Sequence, residues 1–228
     1  MSDNNTEYQE NFEWIRKRFG SYKKELDRIC AKNPYECELY SMIAMVIRCC
    51  ISDDSISLRD VSRIQKYERL NTENFMSGRG FPDFVILEDK YSTEEIVDKH
   101  NVRESGILGA VEIKAMSHDI VKTIKDKKIQ LYKEDQIKNH LEYFKKLIYT
   151  NGLTWLFLAF DDSEQDQGTY DIKRYLSEKF VLGKEIRKKD ERKIEWEPNA
   201  ETNWKKLLDY LKGIDWKLPG RWKKENEK

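Results

Sequence analysis

Three short apolar runs, Phe84 to Leu87, Ile107 to Ile113 and Trp155 to Phe160, constrain this chain more than any other feature. They are rich in β-branched and aromatic residues and carry almost no polar positions. That pattern belongs to strands buried on both faces rather than to strands with one face in water. Polar and helical stretches separate the runs. The expectation is an α/β fold with a central mixed β-sheet flanked by helices.

Most of the remaining chain reads as helix. Tyr8, Phe12, Ile15, Phe19, Tyr22, Leu26 and Ile29 recur in steps of three and four, on one stripe that also contains Gly20. Such a stripe either packs on the domain or forms a dimer seam, so a homodimer is one expected partner state. A second helix is expected after Pro34, with Leu39, Met42, Ile43, Val46 and Ile47 on its apolar face. A third is expected from Ser57 as N-cap, with Asp60 in its first turn and Leu58, Val61, Ile64 and Leu70 on its face. Ser92 and Glu95 have capping-box spacing. Lys122 to Tyr149 reads as helix, Lys193 to Trp196 as strand, and a last helix runs from about Asn203 with Trp204, Leu207, Leu208 and Leu211 on one face.

The 228 residues suffice for one sizeable domain. It divides into a helical N-terminal extension (1–33), a core (34–160) and a mixed C-terminal extension (161–228). Charged residues make up 37%, a level that suggests disorder, but aromatics at 12% argue for a packed core. Lys+Arg and Asp+Glu are both 42, so bulk basicity gives no argument for nucleic acid. Local basic clusters remain: the lysines between Lys122 and Lys146, and the run from Lys184 to Lys193. Either could follow a phosphate backbone, and Trp204, Trp216 and Trp222 could stack bases or pack in the core.

The first residues, Met1 to Asn5, carry no apolar segment of the signal-peptide kind, and the longest apolar runs are far too short to span a bilayer. A cytoplasmic protein without a membrane partner is expected. Cys30, Cys37, Cys49 and Cys50 lack metal-ligating spacing and are expected as free thiols.

The chemistry gathers around Pro82-Asp83 and Glu112-Ile113-Lys114. Glu112 and Lys114 stand two apart on an apolar strand, so they share a face, while Val111 and Ile113 share the other. Buried charges need partners. Asp83 stands at the mouth of the neighbouring strand, and pairing of the two strands would bring two carboxylates and an ammonium to one end of the sheet. Asp83 and Glu112 could hold Mg²⁺, with Mn²⁺ as a substitute and the Ile113 carbonyl as a further oxygen ligand. Lys114 could orient a water or stabilise charge developing on phosphorus.

Pro82-Asp83, a gap of 28 residues and then Glu112-Ile113-Lys114 resembles the PD-(D/E)xK nuclease signature. The likeness extends from about Glu36 to Phe160. It implies a restriction-endonuclease-like fold and a Mg²⁺-dependent nuclease, with DNA as the expected nucleic acid and restriction or defence as a setting. Gln136-Ile137-Lys138-Asn139-His140, followed by Thr150-Asn151-Gly152 and Trp155, resembles the N-terminal nuclease domain of type I restriction endonuclease subunits. That likeness gives Gln136 a role near the water or phosphate. His140 stands where the related pattern has Tyr; it and His118 are expected as surface or packed histidines. The family often adds an acid from an early helix, and Glu36 and Glu38 both qualify, with Glu38 favoured by its offset. The helicase motor of those subunits is absent, and no Walker-type phosphate loop occurs. The rival reading is a catalytically idle nucleic-acid-binding or oligomeric scaffold module with the same fold.

Overall fold

A computed structural model describes residues 3–32, 35–63, 72–92, 102, 104–123, 129–160, 175–189, 191–218 and 220–222. Helices α1 (Asp3–Arg16) and α2 (Phe19–Lys32) are followed by a 3-10 turn (Glu36–Leu39) and α3 (Tyr40–Arg48). Strands β1 (Ile56–Asp60), β2 (Phe84–Glu88) and β3 (Ile107–Ile113) come next, then a small hairpin of β4 (Val121–Thr123) and β5 (Ile129–Leu131). Helix α4 (Glu134–Phe144) leads into β6 (Lys146–Thr150), β7 (Thr154–Ala159) and β8 (Leu176–Val181). A ribbon of β9 (Gly183–Lys188) and β10 (Glu191–Trp196) and helix α5 (Ala200–Lys212) follow.

The central sheet has six strands in the order β1-β2-β3-β6-β7-β8. Only β3 and β6 pair in parallel; the other neighbours are antiparallel, so the sheet is mixed. Strands β3, β6 and β7 are buried along their whole length. Helices cover both faces of this sheet. On one, Phe12 and Ile15 of α1, Leu26 of α2, Ile43 of α3 and Trp204 and Leu208 of α5 pack with Phe84, Val111, Ile113, Ile148 and Trp155. On the other, Ile137, Leu141 and Phe144 of α4 pack with Val85, Ala110, Leu147, Leu156 and Leu158. Each such aliphatic side chain taken from water contributes about 1.5–3 kcal/mol.

The apolar stripe of the N-terminal segment is thus spent within the chain, in two helices that break at Lys17 and Arg18. Trp204, Trp216 and Trp222 are core residues, not base-stacking platforms. Among the described residues, no helix is long and apolar enough to cross a membrane. All four cysteines are free.

Two sequence expectations give way here. The helix expected from Ser57 is instead strand β1: Ile56 and Leu58 are buried while Ser57 and Arg59 are exposed. Its period is two, and Ser57 pairs with Leu87 instead of capping a helix. The continuation of that expected helix, at 64–71, and the body of the one expected from Ser92, at 93–101, lie outside the described residues. The helix expected over Lys122 to Tyr149 shrinks to α4. Lys145 turns the chain with φ 63, and the fully buried β6 then fills the sheet between β3 and β7. Strands β8 and β9 were not anticipated.

Candidate active site

The end of β3 places the acidic residues. Phe84 pairs with Val111 in the antiparallel β2–β3 ladder, and one step further the Asp83 N–H donates to the Val111 carbonyl at 3.1 Å. Continuing this register sets Asp83 opposite Glu112. Strand β6 holds the other side: the Lys114 N–H donates to the Thr150 carbonyl at 2.8 Å, and Glu112 pairs with Tyr149. The turn after β6 is built by its own side chains. Asn151 Oδ1 accepts from the N–H groups of Leu153 and Thr154, and Gly152 takes φ +81, a region that favours glycine.

Four of the expected residues come together. Asp83 Oδ2 accepts from the Ile113 N–H at 2.6 Å. Glu112 Oε1 accepts from Lys114 Nζ at 2.5 Å and from Gln136 Nε2 at 2.8 Å. Asp83, Glu112 and Lys114 are all buried, and Gln136 reaches them from the first turns of α4. Ile113 enters the cluster through its N–H.

Glu38 lies at the surface, whereas Glu36, two residues earlier on the same 3-10 turn, lies 3.9 Å from Lys114 Nζ. The early-helix acid at this site is therefore Glu36. The turn is short, and residues two apart on it point in different directions.

Two further side chains were not singled out for the site. Tyr40, at the start of α3, donates its hydroxyl to Asp83 Oδ1. His140 is fully buried, with Nδ1 2.8 Å from Ser77 Oγ and Nε2 3.4 Å from Glu112 Oε2. It stands one helical turn after Gln136, so both reach Glu112 from one face of α4. In the sequence His140 was marked by its place in the Gln136 motif and by that spacing; nothing marks Tyr40.

The electrostatics follow from burial and crowding. Burial and the nearby Glu112 charge push the Asp83 carboxyl up to about 7, against the opposing hydrogen bonds from Tyr40 and Ile113. Burial, with the Glu112 charge adding to it, raises Glu36 as well, while Lys114 opposes the rise. Burial alone would depress Lys114, but the charges of Glu112, Glu36 and Asp83 outweigh it and hold the ammonium above its ordinary value. Burial pushes the Tyr40 phenol up strongly, and its bond to Asp83 adds to the shift.

The cluster fits a hard divalent cation. Glu112 Oε2 is buried and makes no hydrogen bond, with His140 Nε2 3.4 Å away, and a cation would satisfy it. Among the described residues, no three His, Cys, Asp or Glu side chains are grouped so as to hold a metal ion. Mg²⁺ does not need such a group, since it is commonly held by one or two carboxylates and keeps several waters.

No protein-family model, curated protein or solved structure matches this chain.

Proposed function

We propose that this protein is a Mg²⁺-dependent nuclease of the PD-(D/E)xK kind, with a restriction-endonuclease-like fold, acting on the phosphodiester bonds of DNA. The observation that carries the reading is the setting of Asp83 opposite Glu112 on adjacent strands, with Lys114 hydrogen-bonded beside them at the same sheet end. Buried acids on central strands are costly, and a catalytic cation site gives them a purpose.

Asp83 and Glu112 would hold the ion, with the Ile113 carbonyl as a further ligand. Once bound, Mg²⁺ supplies Lewis-acid polarisation of a phosphate and a water of lowered pKa. Lys114 stays charged and stabilises negative charge developing on phosphorus. Gln136, already bonded to Glu112, orients the attacking water or a phosphate oxygen. Glu36 keeps Lys114 aimed into the site from the far side. Tyr40 holds Asp83 in place through its hydroxyl.

The test is incubation of the purified protein with circular and linear, single- and double-stranded DNA and RNA, with and without Mg²⁺ or Mn²⁺. Metal-dependent cleavage of DNA is expected. A folded protein that cuts none of these substrates with either ion refutes the reading.

A further inference from the structure

The lysines between Lys122 and Lys146 do not share one role. Lys146 is buried, and its ammonium donates to the carbonyls of Asp215 and Trp216. Lys138 lies 3.8 Å from Glu142, and Lys145 lies over the Phe160 ring. Lys122 on β4 and Lys133 just before α4 are different: both are exposed, and both flank the turn that follows Lys114.

That turn is well anchored. The His118 N–H donates to the Ala115 carbonyl at 3.0 Å, and Asn151 Nδ2 donates to the His118 carbonyl at 2.9 Å. The Tyr132 N–H donates to the Ile120 carbonyl at 3.1 Å, which ties the end of β5 to the same turn. The His118 ring meets Tyr132 edge-on at 4.2 Å, and Lys133 Nζ stands 5.8 Å from the centre of the Tyr132 ring. Burial lowers the His118 imidazole, and the charges of Lys114, Lys133 and Lys122 lower it further. Lys133 thus stands beside the Tyr132–His118 ring pair, and Lys122 lies two residues past Ile120, whose carbonyl holds the Tyr132 backbone.

Without a bound ion, Glu36, Asp83 and Glu112 outnumber Lys114, and cations at the rim add attraction for an anionic strand. We infer that Lys122 and Lys133, gathered with His118 around the turn after Lys114, form a cationic lip that binds backbone phosphates of the nucleic-acid strand entering the site. The inference rests on the nuclease reading for its substrate. Lysine ammonium groups act on phosphates as point charges, so the lip sets position and salt dependence but reads no bases.

The experiment is fluorescence anisotropy with a short labelled DNA duplex and an RNA duplex of the same sequence. It runs in EDTA, so that no strand is cut, across a salt series. Lys122→Gln and Lys133→Gln should each reduce the slope of log affinity against log salt by about one, and the double variant by about two. Lys206→Gln, exposed on α5, serves as the control and should leave the slope unchanged. The DNA and RNA arms show which backbone is held. Wild-type binding with an unaltered slope in the double variant overturns the lip and leaves the nuclease reading standing. A wild-type protein that binds neither duplex also overturns the lip, and cleavage with Mg²⁺ or Mn²⁺ then decides the nuclease reading separately.

Discussion

Lys114 donates to Glu112 Oε1 at 2.5 Å from only two residues along the chain, and both side chains are almost sealed from water. Each is the other's main counter-charge. Removing either leaves a buried charge without its main partner, the costly half of a broken ion pair.

Their chemical roles should nevertheless separate. Glu112→Gln keeps the shape and removes a ligand charge, so it should weaken both metal binding and cleavage. Lys114→Ala leaves both acids and should retain metal binding while cleavage falls by roughly a hundredfold or more, the usual effect of deleting one transition-state contact. Metal titration beside a cleavage time course reads both effects. Cleavage at the wild-type rate by Lys114→Ala would remove lysine from the mechanism.

Asp83 gives a pH signature. Its carboxyl is pushed up to about 7 by burial and by Glu112. As pH rises past the ordinary carboxyl range, the unfolded chain releases this proton and the folded protein keeps it, so the unfolded state gains. The contribution of Asp83 to stability therefore declines between about pH 4 and pH 7 and is level above that. Thermal melting across this window should show the decline, and Asp83→Asn should flatten it. An equal decline in the variant would assign the effect to other groups.

Lys146 should matter for stability and not for nucleic acid. Its ammonium is buried on β6 and bonds the Asp215 and Trp216 carbonyls at 2.8 and 3.0 Å. Lys146→Met should cost about 2–3 kcal/mol in chemical denaturation, the scale of hydrogen bonds to a charged group. Oligonucleotide affinity of the folded variant should stay at the wild-type value. A variant of unchanged stability that binds DNA poorly would contradict this placement.

Gly183 should resist enlargement. A Cβ there would stand 2.7 Å from the Glu195 carbonyl oxygen, a backbone atom with little freedom to retreat. Gly183→Ala should destabilise the protein by about 1–3 kcal/mol, as overpacking does. Gly20→Ala, with open space around it, is the comparison and should be neutral or mildly stabilising. Equal melting temperatures for the two variants would refute the close approach.

The sheet was legible where burial on both faces leaves its mark. The runs at Phe84, Ile107 and Trp155 became β2, β3 and β7 because no polar residue could be tolerated on either side. Asp83, Glu112 and Lys114 stood out against them for the same reason. Strand β6 did not, since Lys146 heads it and Ile148 continues the helical spacing of α4. Strand β1 is so short that Leu58 and Val61 fit a helical face as readily as a pleat. Glu36 could not be separated from Glu38, nor Tyr40 and His140 recognised as neighbours of the acids. Those facts lie in how α3, α4 and the turn at Ser77 pack on the sheet, and no local pattern encodes that packing.

The parallel pairing of β3 with β6 also orders events during synthesis. Parallel neighbours need a long crossover, and closing one is slow compared with forming a hairpin. Asp83 and Glu112 leave the ribosome well before Gln136, and Thr150, whose carbonyl anchors the backbone at Lys114, comes later still. A nascent chain that ends after β5 already carries both acids, yet has neither the amide that holds Glu112 nor the strand that holds Lys114. The cluster is therefore completed late, and prematurely terminated chains carry both acids without the frame that aims them.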